Sequence, residues 1–100
     1  MDVKKIRKAS RRELYFTQHA LEKMIERNIS EVEVEEVLGS GEIIEEYPRD
    51  KYGPSCLIFG FRRGGKALHV LVSYSEPLWV VTVYEPVKDE WIDFRVRKIK

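Results

Sequence analysis

The pair Gly64-Gly65 stands between two β-rich runs, residues 55–63 and 66–73, and constrains the chain more than any other local signal. Two adjacent glycines accept the positive φ angles that a two-residue hairpin turn demands, so these runs are expected to fold back as neighbouring antiparallel strands. The register then follows. Arg63 faces Lys66, Phe61 faces Leu68, Phe59 faces Val70 and Leu57 faces Val72. A third run, Leu78–Tyr84, follows a turn at 74–77, which sets Val72 against Trp79, Val70 against Val81 and Leu68 against Val83. These side chains are almost all apolar and define the expected core face.

The opposite face in this register carries polar chemistry. Gly60 and Thr82 flank His69, while Arg62 and Tyr84 lie diagonally within reach of it. An imidazole, a hydroxyl, a phenol and a guanidinium thus converge above a glycine, and Cys56 falls on the same face. The combination suits phosphoryl transfer from RNA. His69 is the candidate general acid or base. Arg62, with Thr82 beside it, is the candidate phosphate clamp. Tyr84 can stack a base or hydrogen-bond a phosphate oxygen. The plain alternative is that this face is the solvent side of the sheet and His69 a half-exposed strand residue.

Two helices precede the strands. Thr17 is placed to cap the first, residues 18–28, where Ala20, Leu21, Met24 and Ile25 form an apolar stripe and Asn28 can end the helix. Ser30 and Glu33 have capping-box spacing for the second, with Val34, Val37 and Leu38 turned inward. Glu31, Glu33, Glu35 and Glu36 form its solvated acidic face, and Gly39 is expected to stop it. Leu14–Phe16 is a short extended piece, and Glu42–Tyr47 a strand. Residues 1–12 read as a basic helix or arm with a thin stripe of Val3, Ile6 and Ala9, leaving residues 13–100 as one domain. Helices grouped before strands predict an α+β fold, with two helices on one face of a three- to five-stranded antiparallel sheet.

The first helix offers a second candidate site. His19, Lys23 and Arg27 are spaced four apart and form one cationic stripe suited to phosphate. Local pairing with Glu22 and Glu26 is the plainer reading of that stripe. The two histidines also conflict, because the helices cover the core face while His69 points from the other.

Charge narrows the partners. The formal net charge is only +1, which argues against bulk attraction to nucleic acid. It is, however, a sum of +5 over residues 1–12, −8 over 13–50 and +4 over 51–100, so any polyanion site is local. Four glutamates on the second helix exclude a helix-turn-helix reading. One cysteine excludes an internal disulfide and a cysteine-rich zinc site, and two distant histidines do not make a metal site. No phosphate-binding or dinucleotide loop and no serine-nucleophile elbow occurs, so no cofactor is expected. The apolar runs are too short to cross a bilayer and no secretory signal opens the chain, which predicts a cytoplasmic protein.

Residues 16–30, Phe-Thr-Gln-His-Ala-Leu-Glu-Lys-Met-Ile-Glu-Arg-Asn-Ile-Ser, resemble the HAxxRMxxRxI opening of a bacterial family of domains of unknown function numbered 4258. Gly41-Glu42-Ile43-Ile44-Glu45, Leu68-His69-Val70, Thr82-Val83-Tyr84-Glu85-Pro86 and Trp91 agree in order. Lys23 departs from the pattern, which usually has arginine there. That family is similar to the RelE/ParE-like plasmid toxin superfamily. The resemblance implies the same helix–helix–sheet fold and a toxin of a type II toxin–antitoxin pair, with RNA as substrate and an antitoxin protein as partner. By motif position it carries over His19, Arg27, His69 and Tyr84. The competing expectation is a non-catalytic protein-binding module, or a ParE-like inhibitor that acts by binding, with the acidic second helix and basic N-terminal arm as partner surfaces.

Overall fold

The computed structural model describes residues 2–50, 53–74 and 77–99. Ser75 and Glu76 of the expected 74–77 turn, Lys51 and Tyr52 of the loop before Pro54, and the terminal Lys100 lie outside the described residues. Three helices, α1 (Val3–Arg12), α2 (Gln18–Arg27) and α3 (Glu31–Ser40), enclose the short strand β1 (Leu14–Phe16) in the sequence order. Strands β2 (Glu42–Tyr47), β3 (Ser55–Phe61), β4 (Ala67–Ser73) and β5 (Leu78–Tyr84) follow. The chain ends in a small hairpin of β6 (Trp91–Ile92) and β7 (Val96–Arg97). No helix among the described residues is long and apolar enough to cross a membrane.

The caps behave as the residue types dictate. The Asp2 side chain accepts from the Lys4 amide, Thr17 from Ala20 and Ser30 from Glu33, whose own carboxylate accepts from the Ser30 amide to complete the capping box. Asn28 ends α2 in the left-handed conformation (φ 55°). Gly39 does not stop α3. The helix continues to Ser40 and is closed by the Gly41 amide on the Val37 carbonyl.

The sheet order is β1-β5-β4-β3-β2, and β1 runs parallel to β5. The sheet is therefore mixed rather than purely antiparallel. A three-residue strand carries no pattern that fixes its direction, and its partner lies some sixty residues further on. All three helices feed one core on one face of this sheet. Ile6 of α1, Ala20 and Met24 of α2, and Val34, Val37 and Leu38 of α3 pack over Ile58, Leu68, Val70, Val72, Val80 and Val83.

The β3–β4 hairpin is one residue out of the expected register. Phe61 pairs with Ala67, Phe59 with His69, Ile58 with Val70 and Cys56 with Val72. The Arg62 amide donates to the Lys66 carbonyl (2.8 Å) and the Gly65 amide to the Arg62 carbonyl (3.0 Å). The loop is thus the three residues Arg63-Gly64-Gly65, with both glycines at positive φ, the longer hairpin class rather than the two-residue one. A one-residue slip exchanges faces. Cys56, Ile58, Gly60 and Arg62 turn towards the helices, while Phe59, Phe61 and Trp79 join His69 on the second face. Gly60 accordingly opens no space over His69. A Cβ built on it would come within 3.0 Å of Val37 on α3. Along β4–β5 the register shifts at a bulge with Val81 as the extra residue, between the pairs Leu71–Thr82 and Val72–Val80.

Candidate functional site

The second face of the sheet is not open at His69. The imidazole is fully buried, between its cross-strand neighbours Phe59 and Tyr84 and beneath the β6–β7 hairpin. Trp91 meets it edge-on at 4.5 Å between ring centres, and Phe59 at 5.8 Å. Nε2 lies 2.7 Å from the Phe94 carbonyl, which can only accept, so Nε2 carries the proton. Nδ1 then accepts from the Tyr84 hydroxyl at 3.2 Å. The partners assign a neutral imidazole of a single tautomer. Burial pushes its pKa below the usual histidine value, against the opposing pull of the Phe94 carbonyl and the Glu45 charge. Burial also raises the Tyr84 phenol. Asp93 and Phe94, at φ 52° and 60°, make the tight turn of the hairpin. Left-handed backbone is unusual for an aromatic residue, and here it is held by the carbonyl bond to His69 and by the Phe94 ring against Phe59.

Two arginines of the hairpin clasp it to the sheet. Arg97 binds the Glu45 carboxylate (3.1 Å) and lies over Trp91, while Arg95 lies over the Phe59 ring and pairs with Glu42. Glu45 in turn accepts from the Tyr47 hydroxyl, whose pKa burial raises to about 12.

Arg62 is not beside His69. Its guanidinium reaches across the helix-facing side of β3 and donates to both Glu33 oxygens (2.9 Å each), the Asn28 carbonyl (2.7 Å), the Arg27 carbonyl (3.3 Å) and Glu85 (3.3 Å). These use all five of its N–H donors. Glu33 is consequently buried rather than part of a solvated acidic face, and Arg62 hydrogen bonds hold its carboxyl down at about 2. This pair pins the α2–α3 corner to the β-sheet. Cys56 is also on the helix side, fully buried, with its thiol pushed up to about 11. Thr82 is half-buried opposite Leu71.

His19 lies elsewhere, exposed in the first turn of α2. The β5 bulge fixes that turn. The Thr17 amide donates to the Val80 carbonyl (3.0 Å), and the Thr17 hydroxyl donates to the Val81 carbonyl (2.7 Å) while accepting from Ala20. Bulges commonly re-aim chains beside sites. Here the result is a cavity of about 550 Å³ that brings His19, Asp50, Ser55, Ser73 and Trp79 around one space. Ser55 and Ser73 are cross-strand partners, and Ser73 also pairs with Trp79. The Ser55 hydroxyl donates to Asp50 at 3.0 Å. On the outer side, His19 and Lys23 share a shallower groove, where Lys23 pairs with Glu26 at 3.4 Å. Arg27 is exposed at the end of the stripe.

The structure therefore joins His69 with Tyr84, and His19 with Lys23, but neither cavity lined by His19 includes His69. Asp50, Ser55, Ser73 and Trp79 were not legible as neighbours of His19, because they meet it only through the bulge and the mixed sheet. Among the described residues no group of three or more His, Cys, Asp or Glu side chains stands together as a metal site.

Three helices on one face of a mixed five-stranded sheet, with a largely apolar cavity edged by polar groups at the start of α2, define a small α+β domain. The chain belongs to the family described as Domain of unknown function (DUF4258), whose model matches residues 16–85. That span contains both histidines, Arg62 and Tyr84, and leaves out α1 and the β6–β7 hairpin. No curated protein and no solved structure matches the chain.

Proposed function

We propose that the protein is a RelE/ParE-like toxin of a type II toxin–antitoxin pair, acting as a metal-independent endoribonuclease at the His19 cavity. One observation carries the reading. An exposed imidazole, two hydroxyls, a carboxylate and an indole line a single cavity large enough for a nucleotide. Metal-free RNA cleavage needs a group that takes the proton from the ribose 2′-hydroxyl as that oxygen attacks phosphorus, while the 5′-oxygen leaves and takes up a proton from solvent. An imidazole does this near neutral pH, and His19 is the residue in reach of solvent and cavity alike. Ser73 can hydrogen-bond a phosphate oxygen, and Lys23 and Arg27 extend the phosphate path along α2. In this reading His69 and Tyr84 position the sheet and its hairpin rather than touch RNA. Single-stranded RNA incubated with the purified chain in excess chelator should give fragments ending in 2′,3′-cyclic phosphate, and expression without an antitoxin should arrest growth. Intact RNA together with normal growth would overturn the proposal.

A second reading is a non-catalytic module that binds a protein partner. It is favoured by the complete engagement of Arg62 in internal bonds, which removes it as a phosphate clamp for either histidine, and by the exposed Glu31, Glu35 and Glu36 on α3. A stable complex whose affinity is unchanged by His19→Ala, with no RNA cleavage, would select it.

A further inference from the structure

We propose that Tyr15 and Trp79 form a stacking platform for the bases of single-stranded RNA at the rim of the His19 cavity, a deepening that rests on the RNA reading of that cavity. The two residues are register partners on the parallel β1–β5 pair, at the edge of the sheet. Their rings lie 5.1 Å apart between centroids and are tilted by 46°. Tyr15 is 41% exposed and Trp79 38%.

This exposure is not the ordinary condition of the sheet's second face. At the other end of β5, the same face is roofed by Trp91 and Phe94, which seal His69. The flanking residues of β1, Leu14 and Phe16, pack against the core. Among the described residues Phe61 is also exposed on this face, at the far end of β3, but of these exposed rings Trp79 alone lines the His19 cavity.

Position and charge select the occupant. Trp79 itself lines the His19 cavity, so a base stacked on it brings its own backbone phosphate towards His19. The adjoining end of α1 carries Arg11 and Arg12, both exposed, with Lys4, Lys5 and Lys8 further along the helix. Arg12 lines a neighbouring cavity with Leu78, the residue before Trp79. α1 meets the same sheet edge through β1 and β5, and ring faces combined with cations along one edge are an arrangement that holds single strands without reading their sequence, because every base has a π-face and every link a phosphate. The opposing charge is Glu13, which accepts from the Tyr15 hydroxyl. That bond occupies the phenol and leaves the ring to do the contacting.

The test uses the full chain in a His19→Ala background, so that RNA is not consumed, and a fluorescein-labelled 12-mer of mixed-sequence single-stranded RNA. Two tryptophans are present, and Trp91 is 5% exposed, so quenching of tryptophan emission on RNA addition reports Trp79. Anisotropy titrations should show Trp79→Leu and Tyr15→Leu each weakening binding by roughly 5- to 150-fold, the range of one lost base stack. Tyr15→Phe and Trp79→Phe, which keep a ring, should bind nearly as the parent. Circular dichroism confirms that each variant is folded. If both leucine variants bind as the parent, or emission does not change on saturation, the platform is overturned while RNA cleavage by the wild type still upholds the cavity reading. If the wild type neither binds nor cleaves RNA, both fail together. If a protein but no RNA competes for this face, the occupant is wrong.

Discussion

Arg62 shows how far a residue's chemistry can be read without its neighbours. Its type was informative, since a guanidinium in a strand seeks a planar anion, but the anion is Glu33 of α3 rather than a phosphate. One hairpin residue more or less decides which. Both members are largely buried, with side-chain exposures of 13% and 8%, so removing one strands the other. Arg62→Ala is expected to destabilise the fold by about 3 kcal/mol, measured by urea unfolding. The pH dependence has a definite sign. The Glu33 carboxyl sits at about 2 in the folded chain against an ordinary 4.5, chiefly because Arg62 hydrogen-bonds it. Its contribution is therefore complete above the ordinary carboxyl range and is lost as pH falls from there towards 2. Glu33→Gln should flatten that stretch of the stability curve by about 3 kcal/mol; an unchanged acid limb would contradict the assignment.

Among elements, the helices were legible and the sheet faces were not. Thr17, Asn28 and the Ser30–Glu33 box act over three or four residues, and all three behave as their spacing requires. Gly64-Gly65 fixed that a hairpin exists but not whether two or three residues make its loop. Alternation could not decide, because both faces of β3 are covered. Cys56 to Phe59 are all buried, by helices on one side and by the C-terminal hairpin on the other. The hairpin is the element that sequence reading undervalued. Its signals are Trp91, Arg95 and Arg97, which show no local pattern because the arginines' partners, Phe59, Glu42 and Glu45, are far away in sequence. If it roofs His69 as described, Trp91→Ala should cost about 3 kcal/mol. That lowers the melting temperature by on the order of 15 °C in a domain of this size. An unchanged melting temperature would mean that the hairpin contributes no packing.

Over the whole molecule, the near-zero net charge conceals an arrangement. The +5 segment contains α1, whose arginine end leads into β1 at the sheet edge. The −8 segment supplies both the buried Glu33 and the exposed acidic face of α3. The fold thus offers a cationic, aromatic edge near the His19 cavity and an anionic helix face away from the sheet. The two histidines divide accordingly, His69 as a sealed structural group and His19 as the exposed one. The central claim is that the functional centre is His19, and it is tested most directly by comparing RNA cleavage rates of His19→Ala and His69→Gln in excess chelator, below both melting temperatures. The account predicts that His19→Ala melts like the wild type and cleaves at least about 100-fold more slowly. His69→Gln should melt lower yet cleave within a few-fold of the wild type. A folded, inactive His69→Gln beside a fully active His19→Ala would contradict it.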